Sequence, residues 1–241
     1  MLTDNLKYFL MFCNPPRSGH SFVASSLNAH PNVICSNQKL EFSILNNIDK
    51  NNLFDRIKRG TEVWNPQCYV TPIIKKEIKV IGDKVHTQQL LDSNQDNLNL
   101  LKSIVGVPIK WIHVVRNPFD SLATWTKISS KSNNNPTSVE YNSLLPIFKN
   151  INDKVVELKK TEDVLTINHE NIVLKTKEML EIICEFLEIE DNNDWQKSIM
   201  KVKWQKPRIT RDQIKWNPNM RAKAVMLTKQ YPWFNGYAMG G

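Results

Sequence analysis

The chain has 241 residues, 41% of them apolar, and 32 Lys plus Arg against 24 Asp plus Glu, a formal net charge of +8. That is enough apolar material for one sizeable core, so a single domain over residues 1–241 is expected. No apolar run approaches the roughly 20 residues needed to span a bilayer, and the first seven residues do not resemble a secretory signal, which together predict a cytoplasmic protein.

Cys13, Cys35, Cys68 and Cys184 form no CxxC pair, so neither a zinc knuckle nor a disulfide framework is indicated. The positive charge favours anionic partners. Nucleic acid calls for basic residues interleaved with stacking aromatics; only the Trp204 to Trp216 region comes near that, and nucleic acid is not expected.

Lys7 to Cys13 is apolar and aromatic and stops at Asn14-Pro15-Pro16, the pattern of a buried strand ended by prolines. Ser21 to Asn28 places Phe22, Val23, Ser26 and Leu27 on one helical face, closed by Pro31. Val33 to Cys35 and Lys79 to Ile81 are short strand candidates. Trp111 to Val115 reads as a buried parallel strand.

Asn117 can cap a helix over Pro118 to Ile128, with Pro118 first and Asp120 able to reach back to free amides. Ser129 to Ser138 is rich in turn formers and has almost nothing to bury, which predicts a mobile loop able to act as a lid. Lys149 to Asp163 reads as a solvated helix face. Val164 to Ile167 is another strand, Leu174 to Leu187 a periodic helix ended by an Asn192 to Trp195 turn, and Asn219 to Gln230 a last helix stopped before Pro232. Strands alternating with helices predict an α/β fold around a parallel sheet.

Two segments carry chemistry. The first is Asn14-Pro-Pro-Arg-Ser-Gly-His-Ser21, in the strand–loop–helix setting where backbone amides and a helix N-terminus make an anion nest. Gly19 lets the chain turn tightly. Compared with the GxxxxGK[ST] loop of nucleoside triphosphatases, it lacks the first glycine and carries His20 in place of the lysine, which disfavours an ordinary ATPase. Arg17 can grip two oxygens of one anion.

The second segment is Val114 to Thr124, where a hydrophobic strand delivers Arg116 to the ligand-binding edge of the sheet. A cation stands where a Mg²⁺-binding carboxylate would be needed, so no metal is expected. Ser121 and Thr124 share a helical face beside it. A small-molecule kinase and a nonenzymatic module binding small anions or nucleic acid are the competing classes; the kinase would need Mg²⁺ and a loop lysine.

Together the segments resemble the sulfotransferases that use 3′-phosphoadenosine 5′-phosphosulfate (PAPS), nearer to bacterial and tyrosylprotein-type members than to cytosolic ones. Pro15-Pro-Arg-Ser-Gly-His-Ser-Phe22 resembles their 5′-phosphosulfate loop, and Arg116-Asn-Pro-Phe-Asp-Ser-Leu-Ala-Thr124 their 3′-phosphate motif. The likeness extends through Ile81-Gly-Asp-Lys84, His169-Glu-Asn-Ile-Val173, Phe186-Leu-Glu-Ile189 and Tyr231 to Tyr237.

It implies a three-layer α/β/α fold with a central parallel sheet and a P-loop-like nucleotide-binding core. It also implies in-line transfer of a sulfuryl group to a hydroxyl or amine, without metal, leaving 3′-phosphoadenosine 5′-phosphate (PAP). Arg17 would contact the sulfuryl group, Ser18, Gly19, His20 and Ser21 would follow the phosphate loop, and Phe22 would stand near adenine. Arg116 and Thr124 would bind the 3′-phosphate, with Arg208 and Arg211 as further contacts although no RKG loop is present. Lys84 would serve the sulfuryl and bridging oxygens. His169 stands where tyrosine is common.

A general base must take the acceptor's proton. Glu41 is the first expectation, because the segment after His30-Pro31 supplies a carboxylate in related enzymes. His86, two residues after Lys84, is the second and His20 the third. His113, inside an apolar strand, reads as core. The acceptor is expected to be a small molecule, chosen by segments such as Asn51 to Lys76 and Ser129 to Ser138.

Overall fold

The computed structural model describes residues 5–62, 70–130 and 138–240. Five parallel strands, β1 (Tyr8–Phe12), β2 (Val33–Asn37), β3 (Val80–Lys84), β4 (Ile109–Val115) and β5 (Asp163–Asn168), form one sheet in the order β2-β3-β1-β4-β5. Helix α1 (His20–Ala29) follows β1 and α2 (Lys50–Arg59) follows β2; α3 (Thr87–Leu91) and α4 (Gln95–Val105) join β3 to β4. Helices α5 (Pro118–Ser129) and α6 (Ser138–Thr161) lead to β5, followed by α7 (His169–Leu174), α8 (Thr176–Leu187), α9 (Asn193–Val202) and α10 (Pro218–Gln230).

Both sheet faces are covered, which is why the central strands are largely apolar rather than alternating, with Lys110 and His113 in β4 and Asp83 and Lys84 in β3 as the exceptions. All seven residues of β4 are buried. Leu10 and Phe12 of β1 with Ile112 and Val114 of β4 face one core, shared with Phe22, Val23 and Leu27 of α1 and with α8 and α9. Phe9, Met11, Ile109 and Trp111 face the opposite core with residues of α2, α4 and α6. This is the expected three-layer α/β/α arrangement. A third cluster joins α5, α6 and α10 to Tyr231 and Phe234.

One local expectation is corrected, and two segments gain detail. Asn192 does not end a helix: its side chain accepts from Trp195 N–H and starts α9, a standard N-cap role. The Asn51 to Lys76 segment opens in α2, capped by Asp49 and burying Leu53, Phe54 and Ile57. Ser129 closes α5 and Ser138 opens α6, while residues 131–137 of the expected mobile loop lie outside the described residues. Among the described residues no helix is long and apolar enough to cross a membrane.

Candidate active site

Because the strands are parallel, every loop that follows a strand opens at one sheet edge. The Arg17 loop leaves β1, residues 38–41 leave β2, Lys84 ends β3, Arg116 follows β4 and His169 follows β5. From β1 the chain moves toward β2, and from β4 toward β5, so the connections diverge between these adjacent strands. Ligand crevices of open α/β sheets form at such a point. It is also where the two cationic motifs meet.

The loop is built for close approach. Asn14 donates from Nδ2 to Val114 O at 2.9 Å, tying the loop's start to β4. Arg17 has a left-handed φ of 68°, uncommon outside glycine, and is exposed. Gly19 has φ 96°, and a Cβ there would lie 2.2 Å from His169 Nδ1, so glycine is required by both conformation and space. Gly19 stands at the N-terminus of α1 with no side-chain cap, leaving first-turn amides for an outside acceptor.

Ser18 Oγ lies 2.9 Å from His20 Nδ1. Burial, then the charges of Lys84 and Arg17, drive the His20 pKa well below the usual histidine value. Lys84, from β3, thus shares one electrostatic neighbourhood with the loop. His169 is likewise held down to about 4, by burial first and then by Arg116.

Arg116 binds the two ends of this site together. Its Nη1 donates to Arg17 O at 3.0 Å, and its Nη2 to Arg208 O at 2.6 Å and Thr210 Oγ1 at 3.2 Å. Burial is the main influence lowering its pKa; Asp120 and Glu170 oppose this, while Arg17 and Arg208 add repulsion. An arginine nonetheless stays charged. The Arg116 guanidinium thus ties together the backbones of Arg17 and Arg208, and the charges of both arginines reach it, a constellation that an anion would stabilise.

Asp120 does not reach back to its own helix start. Its Oδ1 accepts from the amides of Thr210 (2.6 Å) and Arg211 (2.7 Å), and its Oδ2 from Arg211 Nη1 at 2.8 Å in a buried ion pair. The N-cap function falls to Asn117, whose side chain accepts from Phe119 N–H. Thr124 Oγ1 sits 2.8 Å from Thr210 Oγ1, which brings the expected 3′-phosphate hydroxyl beside the same segment. Glu170 accepts from Asn117 N–H and from the Tyr237 hydroxyl, fixing the chain just after Arg116.

An aromatic cluster flanks the loop. Phe22 is buried, with its ring centroid 5.2 Å from that of Trp204, and Trp204 in turn makes an edge contact with His169 at 5.8 Å. Trp204 remains 38% exposed, so one face of this platform is accessible.

The base candidates separate. Glu41 forms an ion pair with Arg56 Nη2 of α2, while Arg56 Nε donates to Lys39 O at 2.6 Å. His86 is exposed beyond the end of β3 and caps α3, its Nδ1 accepting from Gln88 N–H at 3.3 Å. His113 is enclosed in the core, with its pKa lowered to about 3 by burial.

Sequence reasoning did not single out Asp83, Thr210, Glu170 or Trp204 individually. The roles of Asp83, Thr210 and Glu170 depend on partners 43 to 94 positions away and that of Trp204 on Phe22 and His169; Asp83 and Glu170 lay within the matched segments, and Trp204 and Thr210 only within the basic-aromatic region. Among the described residues no group of three or more His, Cys, Asp or Glu side chains is placed to hold a metal ion.

No protein-family model matches the chain. Nodulation protein H of Rhizobium tropici is 26% identical over 186 residues, covering 71% of this chain and 72% of that protein. The sulfotransferase domain of the Synechococcus PCC 7002 olefin synthase has a TM-score of 0.59 at 15% identity, covering 94% of each chain. A mouse sulfotransferase complexed with PAP scores 0.55 at 15% identity, covering 98% of this chain and 92% of the other. The Alicyclobacillus acidocaldarius sulfotransferase scores 0.52 at 13% identity, covering 95% and 92%. The chain has the fold of the sulfotransferases, and its Arg17 loop and Arg116 meet at the β1/β4 divergence of that fold.

Proposed function

We propose that this protein is a PAPS-dependent sulfotransferase that transfers a sulfuryl group to a hydroxyl or amine of a small molecule. The observation that carries the reading is the buried Arg116 guanidinium, which joins the backbone of the Arg17 loop to that of Arg208 beside a helix N-terminus without a side-chain cap. Ser18, Gly19, His20, Ser21 and the first-turn amides of α1 hold the 5′ end of the donor. Arg116, Arg208 and the Thr124 hydroxyl receive the 3′-phosphate, and Arg211 buttresses them through Asp120. Phe22 and Trp204 offer the adenine an aromatic surface.

Arg17 and Lys84 stabilise charge as the acceptor oxygen attacks sulfur and the bond from sulfur to the departing phosphate oxygen breaks. The phosphate oxygen keeps the bonding electron pair. A base takes the acceptor's proton, and between Glu41 and His86 this reading favours His86, because the Glu41 carboxylate is engaged by Arg56. Accepting a proton at Nε2 requires the tautomer with hydrogen on Nδ1, which gives up only the long bond from Gln88 N–H. No metal is assigned a role. The activity is placed in the cytoplasm, in one domain over residues 1–241.

Calorimetry with PAP, AMP and Mg·ATP tests the reading. PAP should bind with a Kd of about 1 μM, some −8 kcal/mol, with or without a chelator, and AMP should bind more weakly for want of the 3′-phosphate. Preference for Mg·ATP would overturn it.

A further inference from the structure

The loop that leaves β2 is held more firmly than an exposed turn requires. Ser36 and Asp83 are paired across β2 and β3, and both are fully buried. The Ser36 hydroxyl donates to Asp83 Oδ1, which also accepts from Lys39 N–H at 3.0 Å, while Oδ2 accepts from Leu40 N–H at 3.1 Å. Gln38 takes a left-handed φ of 59° and donates its N–H to Lys84 O at 3.0 Å. On its other side the loop meets α2: a Cβ at Gly60 would lie 2.2 Å from Lys39 Cγ and 2.9 Å from Ser36 Cβ, and Arg56 holds Lys39 O.

A buried carboxylate is a costly way to hold a loop. Desolvation disfavours its charge, and partners must offset that penalty. Burial raises the Asp83 pKa, opposed by these three hydrogen bonds and by the charge of Lys84. Lys84, the next residue, also acts on His20 in the phosphate loop. Asp83 therefore connects the exit of β2 to the end of β3, where Lys84 follows it and accepts at its carbonyl from Gln38 N–H.

Resting on the sulfotransferase reading, we propose that Asp83 is a positioning residue for sulfuryl transfer: through Ser36, Lys39 and Leu40 it fixes the 37–41 loop against β3 and so sets Lys84 at the sulfuryl end of the donor. It touches neither donor nor acceptor. The Arg116 end of the site has its own supports and does not depend on it. An Asp83→Asn side chain keeps the shape but turns one acceptor oxygen into a donor, so one of the three contacts is lost along with the charge.

The test compares wild type with Asp83→Asn and Ser36→Ala, using PAP and PAPS as probes and water as the acceptor. PAP carries no sulfuryl group. Asp83→Asn should keep PAP affinity within about twofold while sulfate release from saturating PAPS falls about tenfold or more, the scale of a modest misplacement of a reacting group. Ser36→Ala, which removes one contact and no charge, should move the rate in the same sense by about threefold and carries the test if Asp83→Asn does not fold. Sulfate release at the wild-type rate in folded Asp83→Asn, or equal loss of PAP and PAPS binding, would overturn the proposal. Failure of the wild type to bind PAP at all would instead overturn the reading on which it rests.

Discussion

The two halves of the crevice are built differently. On the β1/β4 side, contiguous motifs supply the parts: a glycine-containing loop, a helix N-terminus and Arg116, which donates to the backbone of Arg17 and Arg208. On the β2/β3 side, individual side chains from separate elements clamp one loop, Asp83 from β3 and Arg56 from α2. Binding a fixed anion needs donors in a fixed arrangement, which a short motif can encode. A loop clamped from several elements is assembled from distant residues, and its pattern is dispersed along the chain.

Changes on the β1/β4 side should have the largest effects. Arg17→Ala should lower turnover by about 10² to 10³, the usual loss when a group stabilising transition-state charge is removed. PAP affinity should suffer much less, because PAP lacks the transferred group. Rate and affinity measured on the same preparation check this, and equal losses would erase the distinction between the reacting and anchoring ends. Gly19→Ala should abolish donor binding, since the added Cβ collides with the buried His169 ring at a left-handed φ.

Arg116→Ala should chiefly weaken PAP binding, by about 1.5 to 3 kcal/mol for the lost charge-assisted contact, or roughly 10- to 150-fold. The geometry adds a second expectation: thermal stability should fall too, because Arg17 O and Arg208 O lose their donor. Unchanged PAP affinity would remove Arg116 from the anion site and leave it a purely structural clasp.

Acid sharpens the comparison in another way. His30 accepts from Asn32 N–H at Nδ1 and places Nε2 3.0 Å from Glu190 O, the neutral tautomer satisfied at both nitrogens. Burial is the first cause that lowers its pKa to about 4. Its folded pKa lies below the ordinary 6.5, so the unfolded chain takes up the proton first. Its contribution to stability is complete above about pH 6.5 and is lost progressively as pH falls toward 4. His169 follows the same sign over the same window, and His113 over a longer one. Between pH 7 and 5 each should cost about 2 kcal/mol. Urea midpoints should fall accordingly, and His30→Gln should flatten part of that slope without altering PAP binding at pH 7.

Much of this arrangement was legible in the sequence. Apolar runs ended by Asn14 or Arg116 marked β1 and β4, because strands buried on both faces have little room for polar residues. Their loops held the cations, and the strand–loop–helix order implied the sheet edge. Asp120 was misread because a carboxylate at the third helical position ordinarily serves its own amides, whereas here Thr210 and Arg211, some 90 residues later, offer two amides and a guanidinium. Asp83 gave no periodic signal; as one polar residue in a buried strand, it is explained only by the loop it faces. Helix α2 was hidden in an Asn- and Lys-rich segment whose three buried residues, Leu53, Phe54 and Ile57, are its whole apolar stripe.

The smallest expected effect lies at Glu41, and it decides between two views of the β2/β3 side. If that side is a clamped scaffold, the Glu41–Arg56 pair holds the loop, and Glu41→Gln keeps most of that function because an amide oxygen can still accept from the guanidinium. Both side chains are partly exposed, 46% for Glu41 and 36% for Arg56, and such pairs contribute about 0 to 1 kcal/mol. Turnover should then stay within about threefold of wild type, since a base that has lost its basicity costs about 10²-fold or more. His86→Asn preserves a capping acceptor for α3 but removes the imidazole base, and should lose about two orders of magnitude in turnover at saturating donor with PAP affinity intact. Comparing the two variants at saturating donor and acceptor separates the roles: turnover should persist in Glu41→Gln and collapse in His86→Asn. The reverse pattern would return the base to the loop after β2 and make its ion pair with Arg56 a contact that must open during turnover.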